Sequence, residues 1–298
     1  MIVRKLVPVA AVCALALGVT AMSAAPAQQR EFDWDGEIAA GRTLRVFASA
    51  GTITVRAASG STARVRAETV GGEERDIAYS VDRASGDVLI CARYEEARCT
   101  AEGIRSEGGR GWSGRRRARA NFTIEVPRGV LVRVGSGNGE VAVDGATADV
   151  HASSGNGDVR VGSGAARVNA STGNGDVAVD GARAAVDVST GNGRVTVSTA
   201  AGPVEASTGN GEIAVSMASV RGDGDMRFSS GNGSVTLTLP AGFGAELDAS
   251  TGNGRIESDF PIRTSGRLTG QRVRGTLGDG GRNLRISTGN GRITLRRG

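Results

Sequence analysis

Aromatic side chains are scarce in this sequence, at 3% of 298 residues. A compact enzyme core draws much of its buried area from Phe, Tyr and Trp, so the core here must be built from Val, Ile, Leu and Ala. Histidine is scarcer still. His151 stands alone, which leaves a serine or cysteine nucleophile without its usual base. No apolar run beyond the first thirty residues approaches the ~20 positions of a spanning helix. Hydrophobic residues nevertheless reach 39%, which excludes a charge-dominated disordered chain. The 47 glycines follow no strict triplet, which excludes collagen and indicates tight turns at short intervals.

The N-terminus reads as a secretory signal over residues 1–27. Arg4 and Lys5 form a basic region, and Leu6 to Ala21 is apolar but interrupted by Pro8 and Gly18. Ala25-Pro26-Ala27 supplies the small residues of a cleavage site. Cys13 lies inside the apolar run, the wrong context for a lipidated cysteine. The expected mature chain starts near Gln28, has no transmembrane segment, and is periplasmic or released at the cell surface. Cys91 and Cys99 then remain, and an even number of cysteines in an exported chain suggests a disulfide closing a short loop. The alternative, a metal site, lacks ligands, because two thiols and one distant His do not make a set of four.

The triplet Gly-Asn-Gly recurs at Asn138, Asn156, Asn174, Asn192 and Asn210 in steps of 18. It returns at Asn232, Asn253 and Asn290 after steps of 22, 21 and 37. A finer period places Val168, Val177, Val186, Val195, Val204 and Ile213 nine residues apart. Each has a second apolar residue two positions later, the mark of a half-buried strand. The unit is thus two short strands and two turns. A long antiparallel meander could use such strands. An identical unit repeated in register fits better a parallel β-solenoid, with coils ~4.8 Å apart and each strand pairing with its equivalents. Arg133, His151, Asn169, Asp187 and Glu205 then form an outward, solvated column. Gly-Asn-Gly suits a corner, because Gly accepts positive φ and Asn tolerates the left-handed region. Stacked Asn could also form an amide ladder.

Residues 28–120 read as irregular N-terminal coils, with a disulfide loop and a Gly/Arg-rich loop near 102–120. Residues 121–298 read as the regular solenoid, with a longer excursion at 256–285 as a cap, and the whole as one continuous domain. The last strand, Ile293-Thr294-Leu295, is guarded by Arg296 and Arg297.

The order of segments resembles the bacterial putative-adhesin β-strand-repeat family, domain of unknown function 4097. "GRTLRVFASAGTITV" and "ICARY…C" are followed by "FTIEVPRGVLVRVGSGNGEVAV" leading into the repeats, and "ESDFPI" and "GTLGDGGRNLRISTGNGRITL" close the chain. The resemblance implies an all-β solenoid and an exported, adhesin-like role. It brings no catalytic residues and no cofactor.

Catalysis finds little support in the residues. Some solenoids cleave polysaccharides with paired carboxylates, and such an enzyme is the alternative to a binding protein. Those clefts carry aromatic platforms, whereas Trp34 and Trp112 both lie outside the regular repeats. Nonapeptide solenoids bind Ca²⁺ through an Asp at a fixed place in each turn. Here the residue two after each Asn is Glu140, Asp158, Asp176, Arg194, Glu212, Ser234, Arg255 or Arg292, too mixed for a calcium ladder. No metal is expected. An outward Thr array facing ice or mineral is not evident, since strand parity turns the Thr of each Ser-Thr pair inward.

Charge is asymmetric. Residues 255–298 hold ten Arg against Glu257, Asp259 and Asp279, and Arg105 to Arg119 is also basic. Export argues against nucleic acid. Arg115, Arg116, Arg117, Arg119, Arg292, Arg296 and Arg297 are candidate contacts to anionic cell-envelope material, another envelope protein being the other partner class. The simpler reading, that these arginines keep the ends soluble and block end-to-end stacking, is preferred. The expectation is a non-enzymatic, adhesin-like binding or scaffold protein of the envelope.

Overall fold

The computed structural model describes residues 31–72, 77–94, 97–106, 118–198, 201–264 and 270–298. The expected leader lies outside them, as do Trp112, Arg115, Arg116 and Arg117. Two long sheets face each other, a front sheet of 13 strands and a back sheet of 12, with a separate two-stranded hairpin. The described residues contain no helix.

Each repeat contributes one strand to each sheet. Val168–Asn174 joins the front sheet and Val177–Asp180 the back. One repeat later, Val186–Asn192 and Val195–Ser198 lie parallel on them, with Val168 opposite Val186 and Val177 opposite Val195. The repeats are therefore coils of a parallel solenoid and not a meander. Register follows from burial. Val168, Ala170, Val177 and Val179 all face the space between the sheets and are buried. A slip of one residue would turn every one of them to solvent. Arg133, His151, Asn169, Asp187 and Glu205 face outward, half-buried or exposed. One coil cannot bury its apolar pairs alone, so stability comes from neighbours above and below.

The coils do not stack in simple chain order. Thr43–Ala48 and Ile53–Ala57 sit directly beneath Leu131–Asn138 and Val141–Val143. The later strands Asp87–Arg93 and Arg119–Val126 lie outside them. The same inversion occurs at the other end. Asn283–Asn290 and Ile293–Arg297 are wedged between the coil at Met226–Leu239 and the coil at Ala245–Ser258. The last strand is thus interior, paired on both sides over Ile293–Leu295, while Arg296 and Arg297 pair in the sheet with Thr238 and Leu239 alone. Antiparallel strands end the stack instead. Glu31–Glu37 and Thr62–Val70 continue the back sheet, and Ala78–Ala84 the front sheet, at the N-terminal end. Arg272–Leu277 and Ile262–Thr264 close the front sheet at the other. These reversed strands halt the parallel pairing that a bare coil would offer to another chain.

The wedge makes stability depend on the chain's last residues. Excising residues 175–192, one complete repeat, should leave a shorter protein that still unfolds cooperatively in urea. Deleting residues 283–298 should open the middle of the stack and abolish the cooperative transition. Similar unfolding curves for the two deletions would show that the wedged coil is dispensable.

Candidate functional site

The corner made by Gly-Asn-Gly organises one edge of the front sheet. The first glycine of each triplet leaves no room for a side chain. A Cβ on Gly191 would lie 2.5 Å from the Gly173 carbonyl oxygen, and one on Gly209 would lie 2.6 Å from that of Gly191. The second glycine carries the turn, with φ of +150° at Gly193 and +156° at Gly211. Among the described residues the only non-glycine with positive φ is Ser85. The expected left-handed role of asparagine is therefore absent. What Asn does is stack. Each Asn Nδ2 donates to the Oδ1 of the Asn in the adjoining coil at 2.7–2.9 Å, from Asn156 to Asn138 and onward through Asn174, Asn192, Asn210, Asn232, Asn290 and Asn253. Just inside the corner, the buried hydroxyls of Thr172, Thr190 and Thr208 donate to the carbonyls of Gly157, Gly175 and Gly193 at 2.8–3.0 Å. That satisfies polar backbone which burial would otherwise leave unpaired.

Two outward columns run beside this corner along the front sheet. One changes character at every coil: Arg133, His151, Asn169, Asp187, Glu205, Arg227. The other is serine throughout, from Ser153 through Ser171, Ser189, Ser207, Ser229 and Ser287 to Ser250. Between the serine column and the Asn ladder lie the bare first glycines. The result is an uncharged shallow groove, walled by hydroxyls and amides, about 29 Å long at ~4.8 Å per coil.

The groove leads into a cleft of ≈ 440 Å³ at its N-terminal end. There the serine column gives way to Gly135, Phe47 and Cys91. Cys91 is disulfide-bonded to Cys99, with Cα atoms 6.3 Å apart. This bond holds the hairpin of Ala97–Thr100 and Gly103–Ser106 over the sheet, where Glu102, Gly103 and Ile104 roof the cleft. Arg93 Nη1 donates to the Ala97 carbonyl at 3.0 Å, and Thr100 Oγ1 to that of Gly103 at 3.0 Å. The Tyr94 hydroxyl donates to the Ala118 carbonyl at 3.0 Å and fixes the ring in the wall. Sequence reasoning missed this cleft. Its only trace was the replacement of serine by Gly135 in the first regular coil.

The described candidate arginines fall in two groups, Arg119 in one and Arg292, Arg296 and Arg297 in the other. Arg119 lies eight strand positions from Arg296 in the back sheet, or about 38 Å at ~4.8 Å per strand. Arg292 pairs with Glu257 at 3.7 Å, and the Arg297 guanidinium lies 5.4 Å from the Phe260 ring centre. His151 is half-buried, and burial followed by the charge of Arg133 lowers its pKa. Asp158 and Asp176 use Oδ1 to accept the N–H of Asp176 and of Arg194, at 2.9 and 2.7 Å. Arg160 pairs with Glu140 and Asp158. Those carboxylates thus tie coil to coil. The described residues contain no cluster of three or more metal-ligating side chains.

A family model described as Toastrack DUF4097 matches residues 109–296, more than half of the chain. The chain belongs to this family. No curated protein is detectably similar in sequence to this Toastrack chain. Among solved structures it is similar to a "putative adhesin" of Bacteroides fragilis, at 11% identity and a TM-score of 0.45, covering 90% of this chain and 97% of the other. A "putative adhesin" of Parabacteroides merdae shares 8% identity with a TM-score of 0.39, covering 90% and 97%. A "putative cell adhesion protein" of Clostridium sporogenes shares 12% identity with a TM-score of 0.34, covering 91% and 100%.

The corner separates steric from polar contributions. Gly191→Ala forces a Cβ against backbone and should cost about 1–3 kcal/mol. Asn192→Ala breaks two exposed amide bonds, and water solvates the groups left behind, so the pair together should cost under about 1 kcal/mol. Urea midpoints should rank Gly191→Ala as the less stable; the reverse order would put the ladder above the packing. The N-terminal coils should also be acid-sensitive. The Thr43 N–H, then the Arg45 side chain, hold the Asp87 pKa below its usual value. That contribution is complete above the unfolded carboxylate range near pH ~4 and is lost as pH falls through the lower native value. The stability gap between wild type and Asp87→Ala should therefore be constant near neutrality and close in strong acid.

Proposed function

We propose that this chain is an exported, non-enzymatic, adhesin-like solenoid that presents its front face to material of the bacterial cell envelope. One observation carries the reading. The serine column and the charged column beside it arose in the same repeats and face the same solvent. A face that needs only to be wet tolerates any polar residue, and the charged column behaves that way. The serine column keeps one small hydroxyl through seven consecutive coils, as a surface selected for contact would.

The disulfide supports export, because such bonds persist in oxidising compartments, and the leader expected over residues 1–27 agrees. The commitment of Asp158 and Asp176 to backbone N–H groups speaks against paired-carboxylate hydrolysis. The arginine-rich candidates support a contact to anionic material less strongly, because Arg119 and Arg296 could share only an extended surface.

The test is retention of the protein on fractionated cell-envelope components at low and high salt, beside a Ser189→Arg, Ser207→Arg variant that places charge mid-groove. Retention that survives high salt and is lost in the variant supports the front face. Salt-sensitive retention equal in both proteins would move the contact to the arginines. No retention of either would overturn an envelope-binding role.

A further inference from the structure

The cleft beneath the hairpin has a lining distinct enough to select a ligand. Its volume, ≈ 440 Å³, falls within the ~300–1,000 Å³ of small-molecule sites. Ser153 and Asn138 offer a hydroxyl and an amide, Glu102 a carboxylate, and Tyr94 and Ile104 an apolar wall. Among the described residues no cation lines it, and the charged group that does is the Glu102 carboxylate, which repels an anionic ligand. An apolar guest would leave the hydroxyl and amide unpaired at a cost. A neutral, hydroxyl-rich molecule with one flat C–H face satisfies both sides. We propose that the cleft is a saccharide-binding site, which takes the end of a neutral glycan whose following units lie along the serine-glycine groove.

The site is built before the ligand arrives. The disulfide and the bonds from Arg93 and Thr100 hold the roof, and the Tyr94 hydroxyl bond to Ala118 holds the wall. Little side-chain freedom is then lost on binding. The cleft opens at Ser153 and Gly155 onto the groove, whose serine, glycine and asparagine columns carry no charge. An extended peptide fits less well. Peptide grooves of β proteins offer an unpaired strand edge, whereas the strands under this cleft, Leu131–Asn138 and Val150–Asn156, are paired on both sides.

The inference rests on the envelope-binding role proposed above but fails separately from it. Maltohexaose and chitohexaose are titrated calorimetrically into the full, disulfide-bonded protein. At least one should bind at one site per chain. Ser153→Trp, which fills the cleft, and Glu102→Arg, an exposed change on the hairpin, should each weaken binding about tenfold or more. Thr196→Trp, an exposed change on the back sheet, should change it by less than about threefold, with thermal melts of all three matching wild type. Failure of both sugars to bind overturns the cleft as a saccharide site, while retention on envelope fractions independently decides the wider role. Binding lost in Ser229→Trp, four coils along the groove from Ser153, but kept in Ser153→Trp and Glu102→Arg places the glycan on the groove alone and also overturns it. A Gly/Ser decapeptide that binds where the sugars do not would replace the glycan with a peptide partner.

Discussion

Everything in this molecule depends on backbone meeting backbone at the Gly-Asn-Gly corner. The carbonyl of one coil occupies the space where the next coil's first Cβ would stand, as at Gly173 and Gly191. Because no side chain intervenes, coils approach to strand-pairing distance even where the chain turns. The threonine hydroxyl inside the corner and the amide ladder outside it both follow from that approach. So does the groove, which is the bare backbone of the same glycines seen from solvent. A steric requirement of the fold thereby creates the surface on which the proposed function rests.

The second organising feature is the way the stack ends. A parallel coil has two open faces, and this chain covers three of the four resulting sheet ends with antiparallel strands, leaving the three-residue strand Ile256–Ser258 at the fourth. It adds antiparallel strands at each end and threads a later or earlier segment between coils laid down at another time. The price is folding order: Asn283–Asn290 can find its place only between strands separated from it by dozens of residues. Such long-range pairing slows assembly. In return the C-terminal strand is paired on both sides and does not fray at an edge.

Much of the architecture was legible because repetition exposes it. The nine-residue valine period located both strands of each coil, and strand parity assigned Val168 and Val177 to the core and His151 to solvent. The asparagine corner was legible as a corner, but the residue bearing the positive φ was not, since glycine and asparagine both allow it. What stayed hidden was whatever breaks periodicity. The wedge of the final coil leaves a step of 37 residues between Asn253 and Asn290, which reads equally well as a long cap. The cleft was invisible because it joins Phe47, Tyr94, Ile104 and Ser153 across four separate segments. Arg119 and Arg296 lie in strands far apart in the back sheet: local sequence records charge but not which end of a solenoid carries it.

The amide ladder has one further consequence. Every bond in it runs the same way, with each Nδ2 pointing toward the N-terminal coils and each Oδ1 toward the C-terminal ones. Aligned amides polarise one another, so the corner is a one-way file of small dipoles. The molecule therefore has an electrical head and tail that its formal charges do not record, and anything lying along the groove meets a surface with a direction.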